Sequence, residues 1–455
     1  MSTSVTPQRA APIGPALAPG FTPGLVLAAI GVGGCAVIAL WWQDTFLVHG
    51  LGDWLTNAGR ITGLLAGYAV VVLLALMARV PALERGVGTD RLARWHAMGG
   101  RYTVSLAVAH TVLIIWGYAV TGHTNVVHET ATQLTTYPDV LMATVALGLL
   151  VAVGVASARA ARRRLRYETW HFIHLYTYVA IALAFAHQFA TGADFVNNTK
   201  ARVLWSAMYI AVAALLVWYR VCVPVRDALW HRLRVVNVVR ESADIVSIWI
   251  GGRDLPSLRA EPGQFFRWRF LTRELWWAAN PYSLSAAPRH DLLRITVKAS
   301  GAHSAALFGL QPGTRVFAEG PYGGFIAARR RRRRVLMIAG GVGITPLRAL
   351  FESIPADAGE LTLLYRTATP DDVVLRHELD GIARYRGAQV HYLVGPPRPG
   401  PNDHLSPQRL RHLVPDVAER DVFLCGPELM MAAAERSLRQ LGVPARHIHH
   451  ESFVF

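Results

Sequence analysis

Six long apolar runs in the first half of this 455-residue chain, a series of short β-rich runs after residue 233, and a strand, glycine turn and helix pattern from Val335 predict a multidomain membrane protein. The expected architecture is a six-helix transmembrane bundle, then a small antiparallel β-barrel, then a Rossmann-like α/β nucleotide-binding domain. Composition agrees with this. Hydrophobic residues make up 52% and charged residues 17%, against roughly 25% charged in a soluble chain, which excludes a purely soluble or disordered protein. The formal charge of +16 suits nucleic acid, anionic lipid or an acidic substrate until the charges are located. Cys35, Cys222 and Cys425 lie far apart, so there is no disulfide framework, zinc knuckle or four-thiolate cluster. Redox chemistry here needs another cofactor.

The apolar runs cover 25–42, 61–78, 102–120, 140–158, 172–190 and 203–223, each long enough to cross a hydrocarbon core of roughly 30 Å as a helix. Arginine sets their orientation. The connections 79–94, 159–166 and 220–234 hold four, five and four arginines, all on one side, while the opposite loops hold only Arg60, Lys200 and Arg202. The basic loops and both termini are therefore expected in the cytoplasm, with the bundle in the cytoplasmic membrane. Much of the positive charge is thus topological, and no nucleic-acid partner is expected. Residues 1–24, rich in Pro, Ala and Gly, are expected to be a disordered tail before a retained first helix, not a cleaved signal. The expected domains are a bundle over 25–225, a barrel over 230–328 and an α/β domain over 335–455.

Ionisable residues at membrane depth are costly and mark function. His96 and His110 stand 14 residues apart in the third span, and His174 and His187 stand 13 apart in the fifth. At 1.5 Å per residue these separations are about 21 and 20 Å, so two helices offer matched histidine levels. Such pairs suit two hemes stacked across the membrane, each iron held by two neutral imidazoles. A metal-ion transport site, by contrast, needs ligands converging at one depth. One tension remains. Fourteen residues return to within about 40° of the starting direction, but thirteen land about 140° away, so the fifth helix is distorted or its hemes are approached from different sides. Sixteen residues, counted from His171, miss by about 160°, so geometry does not choose between His171 and His174.

The pattern His96 with His110, then Tyr167-Glu168-Thr169-Trp170-His171-Phe172-Ile173-His174 and His187, resembles the ferric reductase and NADPH oxidase superfamily. That resemblance implies paired heme ligands at these positions and favours His174 over His171. Asn57-Ala58-Gly59-Arg60 is similar to the family as well, which implies that Arg60 meets an outer-heme propionate or the terminal acceptor; as an interfacial residue, Arg60 instead snorkels to the headgroups.

Between 233 and 325 the short runs 235–239, 245–250, 264–268, 293–297 and 314–318 are broken by Pro and Gly, the spacing of a small antiparallel barrel. Tyr282, Ser283 and Ser285 put an aromatic ring and hydroxyls side by side, suited to a flavin ring and its polar edge. The segment 298–304 offers Lys298, Gly301 for close backbone approach, and His303 and Ser304 as donors to a pyrophosphate. From Val335 a buried strand leads into Gly340, Gly341, Gly343, Thr345 and Pro346, where backbone N–H groups at a helix start suit a second pyrophosphate. Cys425, Gly426 and Pro427 follow a later strand at the carboxyl edge, where ligands bind in parallel sheets.

In this order the motifs resemble the ferredoxin-reductase-type flavoprotein module. The resemblance implies FAD at Tyr282, Ser283 and residues 298–304, the nicotinamide dinucleotide at Gly340 to Pro346, and Phe455 as the terminal aromatic that covers the flavin. Asn280 stands where the family carries arginine or the oxidases histidine, which implies loose, exchangeable FAD. Arg366 is where the adenosine 2′-phosphate is met, which favours NADPH over NADH. The six arginines 329–334 at the handover between domains are expected to be a solvated linker or a contact with anionic lipid.

The expected function is transmembrane electron transfer from NADPH or NADH through FAD and two b-type hemes to an outer acceptor, oxygen or a ferric chelate. Arg60, Cys425 and Phe455 lie nearest the chemistry in this reading, and no obligate protein partner is needed. The alternative is a heme-bearing electron-transfer or anchoring subunit that exchanges electrons with a partner protein.

Overall fold

The computed structural model describes residues 21–43, 45, 48–158, 165, 167–196, 198–396 and 403–451. The chain forms two compact units, one over Ala18–Cys222 and one from Val223 onward.

In the first unit the main helices are α1 (Pro23–Gln43), α2 (Leu51–Leu76), α3 (Thr89–Thr121), the short amphipathic α4 (Val126–Thr136), α5 (Val140–Ser157), α6 (Tyr167–Ala190) and α7 (Thr199–Val217). Among the described residues six helices are long and apolar enough to cross a membrane. Their outward faces carry exposed Leu25, Val32, Val112, Trp116, Leu204 and Ile210, as suits a solvent of lipid tails. Asn125 and Asn198 cap α4 and α7, accepting from the N–H groups of His128 and Ala201.

Small residues set the closest helix contact. A Cβ on Gly52 would lie 3.2 Å from the Gly117 carbonyl, and one on Gly117 would lie 3.0 Å from the Gly52 carbonyl. Farther along α2, a Cβ on Gly63 would lie 2.6 Å from Nδ1 of His110. The glycine stripe of α2 thus lets α3 approach until the His110 ring fills the groove. Two helices begin earlier than their hydropathy suggests: α2 starts at Leu51 and α3 at Thr89. Arg60 and His96 therefore lie within helices, not at their mouths.

The second unit opens with α8 (Val223–His231), then β1 (Arg234–Arg240), β2 (Ile245–Gly251), β3 (Phe265–Phe270), β4 (Asn280–Ser283), β5 (Leu292–Lys298) and β6 (Val316–Tyr322). These strands make two antiparallel sheets, ordered β1-β2-β5 and β4-β3-β6. Among the described residues the sheets meet at the single bridges Arg234 to Arg315 and Leu284 to Ile295 and through a few backbone hydrogen bonds such as that from Val316 to the Leu233 carbonyl, so the expected barrel is not closed by a continuous ladder. Phe266, Trp268, Phe270, Ile248, Ile250 and Ile295 fill its core without exposure.

Strands β7 (Val335–Gly340), β8 (Leu361–Thr367), β9 (Gln389–Val394), β10 (Asp421–Cys425) and β11 (Ile448–Glu451) form a parallel sheet ordered β11-β10-β7-β8-β9. Both faces are covered, as parallel sheets require. One core joins Met337, Leu363 and Phe423 to α10 (Ile344–Ser353) and α11 (Arg376–Arg386), and the other joins Ile338, Leu364 and Leu424 to α12 (Glu428–Gln440). The label α9 denotes the single turn Ala302–Ala306.

The arginine run is tied to the amino edge of this sheet. Asp421 accepts the N–H groups of Arg331 and, at 2.6 Å, Arg332. Arg333 pairs with Asp357 and Glu360, and Arg334 with Asp416. The guanidiniums of Arg333 and Arg334 thus pair with acidic residues distant in sequence while remaining well exposed.

Candidate functional site

Helix α3 packs chiefly on α2, and α6 on α5. Between the two histidine-bearing helices, His96 faces His174 with ring centroids 5.9 Å apart, and His110 faces His187 at 6.3 Å. Two imidazoles on opposite sides of one metal ion, each nitrogen about 2 Å from it, have this spacing. Helix α6 is unbroken from Tyr167 to Ala190, so no break accommodates its thirteen-residue interval. The His171 ring lies instead beside Phe172, at 6.4 Å.

The remaining ring nitrogens fix the chemistry. His96 Nδ1 lies 3.2 Å from the Leu73 carbonyl, and His110 Nδ1 lies 2.8 Å from that of Gly59. A carbonyl only accepts, so each Nδ1 carries the proton and Nε2 keeps its lone pair for a metal. His187 Nδ1 is 3.0 Å from the Thr191 hydroxyl, which itself donates to the His187 carbonyl, and the same tautomer follows. His174 Nδ1 is buried without a partner. These residues fit the axial ligation of heme iron.

A cavity of about 430 Å³ adjoins the second pair, lined by His110, His187, Gly63, Ala184, Arg60 and Asp194 among others, within the usual range for ligand pockets. Arg60 lines it but does not offer an uncommitted charge. Its guanidinium donates to Asp194 at 2.6 and 3.3 Å and to Asn57 at 3.0 Å. Asp194, 3% exposed, balances its charge. Sequence reading missed Asp194 because the pair is 134 residues apart; its signal was an acidic residue between apolar spans.

In the antiparallel domain Tyr282 lies on β4, where its carbonyl accepts from Trp268 Nε1 at 2.9 Å. Burial pushes the Tyr282 hydroxyl up to about 12, against a hydrogen bond with Asn280. The Ser283 hydroxyl is buried with no partner, an orphan that suits the polar edge of a flavin. Ser285 is different. It is fully buried, accepting from Arg294 Nε at 3.0 Å and from Thr296 at 2.8 Å. Ser304 also turns inward, accepting the N–H groups of Ser300 and Gly301 and donating to the Gly301 carbonyl. Ser304, one of the expected pyrophosphate donors, is therefore engaged with Gly301, the residue expected to give close backbone approach. Lys298 pairs with Asp244 at 3.1 Å. Asn280 donates to His303 Nδ1 at 2.7 Å, and the His303 ring stands edge-on to Trp277.

The two nucleotide motifs meet. A Cβ on Gly343 would lie 2.3 Å from the Cys425 carbonyl, and one on Gly426 would lie 3.0 Å from Gly340 Cα. Gly341 adopts φ +52°, which glycine accepts without strain. Thr345 is buried and donates to the Val342 carbonyl at 3.0 Å, and Pro346 is buried behind it; these two shape the loop. Pro427 remains exposed. Cys425 is fully buried, and burial, then the Glu451 charge, pushes its thiol well up. It is a neutral thiol beneath the loop. Arg366 pairs in register with Gly340, and its Nε and one terminal nitrogen are buried without partners, donors that suit a phosphate. Phe455 lies outside the described residues.

A network the sequence reading missed joins the antiparallel and parallel-sheet domains. Glu378 on α11 accepts from Arg294 at 2.7 and 3.0 Å and from Arg348 at 2.9 Å. Its signal was a lone arginine inside the apolar run of β5.

Comparison with known proteins adds family information. The family described as "Ferric reductase like transmembrane component" matches residues 62–185, and "Oxidoreductase NAD-binding domain" matches residues 337–436. The glycine betaine monooxygenase reductase subunit of Chromohalobacter salexigens is 31% identical over 250 residues, 50% of this chain and 67% of that protein. The ferredoxin reductase component of 3-ketosteroid-9-alpha-monooxygenase from Mycolicibacterium smegmatis is 32% identical over 237 residues, 49% of this chain and 65% of that one. The chain thus spans about two thirds of the length of these relatives. The solved ferredoxin reductase in carbazole 1,9a-dioxygenase aligns at 24% identity over 49% of this chain and 69% of its own, with a TM-score of 0.42.

Proposed function

We infer, for a chain that belongs to the membrane oxidoreductases in which a ferric-reductase-like transmembrane component is fused to a ferredoxin-reductase-type FAD/NAD module, that electrons from cytoplasmic NAD(P)H leave on the far side of the membrane. The observation that carries this reading is the pairing of His96 with His174 and of His110 with His187, at 5.9 and 6.3 Å. When bound, FAD supplies the change from a two-electron donor to single electrons, and two b-type hemes supply carriers at two depths.

The chain holds and orients these groups. The Leu73 and Gly59 carbonyls keep His96 and His110 in the ligating tautomer. Tyr282 and Ser283 receive the flavin, Gly340, Gly341 and Gly343 let a dinucleotide approach the backbone, and Arg366 favours the 2′-phosphate of NADPH. No side chain moves a proton in this scheme. With histidine on both sides at each level, oxygen or a ferric chelate is reduced at the outer edge. The protein lies in the cytoplasmic membrane with both termini inside.

Purified chain, given NADPH and FAD under anaerobic conditions, is expected to develop the reduced heme spectrum with no second protein present. Hemes that stay oxidised until a partner protein is added would make the chain a relay subunit instead.

A further inference from the structure

The turn after β3 presents an apolar surface left largely open among the described residues of this unit. Leu271, Trp276 and Trp277 are 47%, 59% and 46% exposed. The turn is well fixed. Leu275, 4% exposed, anchors it in the core, the Trp276 N–H donates to the Thr272 carbonyl at 3.1 Å, and Trp277 Nε1 donates to the Glu274 carbonyl at 2.9 Å. Two large indoles held outward in this way mark a contact surface, because isolated soluble domains seldom expose neighbouring tryptophans.

Connectivity says where that surface lies. The sixth candidate span ends at His231 and β1 begins at Arg234. On one side Arg234 is bridged to Arg315, and on the other the Leu271 N–H donates to the Arg315 carbonyl at 2.9 Å. The end of the helix that continues from that span and the start of the turn are therefore about two strand spacings, roughly 10 Å, apart. Exposed Arg232, Arg234, Arg273 and Arg315 surround them, and none of the four makes an ion pair among the described residues; the turn's one acidic residue is Glu274. Indole rings favour the boundary between headgroups and tails, and arginines there attract anionic headgroups.

We propose that the turn 271–277 seats this unit in the headgroup layer of the membrane, with Leu271, Trp276 and Trp277 as the inserted groups and the four arginines on anionic lipid. The proposal needs only that the chain spans a bilayer.

The test places a nitroxide label at Trp276→Cys in the full chain, with Cys35→Ala and Cys222→Ala; Cys425 is fully buried. The chain is reconstituted in nanodiscs of phosphatidylcholine with or without phosphatidylglycerol. Relative to the same label at Tyr385→Cys, which is 61% exposed on α11, the label at 276 is expected to be several-fold more accessible to oxygen than to a water-soluble nickel complex. Phosphatidylglycerol should raise that ratio. Leu271→Cys reads the same surface should the Trp276 variant not fold. A ratio equal to that at Tyr385, spin–spin broadening between two copies, or protection from both reagents would each overturn the proposal.

Discussion

Arg294 lies 2% exposed in the middle of β5, and its charge is tolerated there because Glu378 reaches it with two hydrogen bonds. Burial alone would raise the Glu378 carboxyl, but hydrogen bonds and charge from Arg294, and then from Arg348, outweigh it and hold the group below its ordinary range. A carboxylate held low in the fold contributes stability above its unfolded value of about 4.3, and that stability is lost as pH falls toward the folded value. Glu378 is 38% exposed, so solvent screens much of the effect, and Glu378→Gln is expected to destabilise the cytoplasmic-type unit by about 1 kcal/mol near neutral pH. Urea midpoints of the full chain should show that difference shrinking below about pH 4. A single residue in a sequence shows such burial only when it breaks a pattern. Arg294 did so inside an apolar run, whereas the inward turn of Ser285 and Ser304 has no local signature, because each is decided by a partner or loop closure seen only in three dimensions.

Among elements, the pairing of α2 with α3 decides whether the second histidine level exists. Gly63 leaves room for the His110 ring, and a side chain there would meet Nδ1. Gly63→Val is therefore expected to displace His110 and lower the heme bound per chain by about one half, with the His96 and His174 level retained. Heme assay of the purified variant checks this. The spans themselves were legible from hydropathy, and the histidine levels from spacing. The true starts of α2 and α3 were not, because Asp53, Asn57 and Arg60, and then Arg91 and Arg94, interrupt the apolar signal while the helical backbone continues. The unclosed barrel was equally hidden: strand runs are visible in a sequence, but the bridges between sheet edges depend on register.

For the whole molecule, two independently packed units on one chain fit a division of labour between collecting electrons from a nucleotide and carrying them across a membrane. The central claim is that two metal-ligating histidine pairs lie at different depths between α3 and α6. Its most direct measurement is heme per chain, by pyridine hemochrome assay, in purified His110→Ala and His187→Ala. Each variant is predicted to keep about half of the wild-type heme, as expected when one of two bis-histidine sites is lost, and NADPH with FAD should still reduce what remains. Full heme content in either variant would contradict the account.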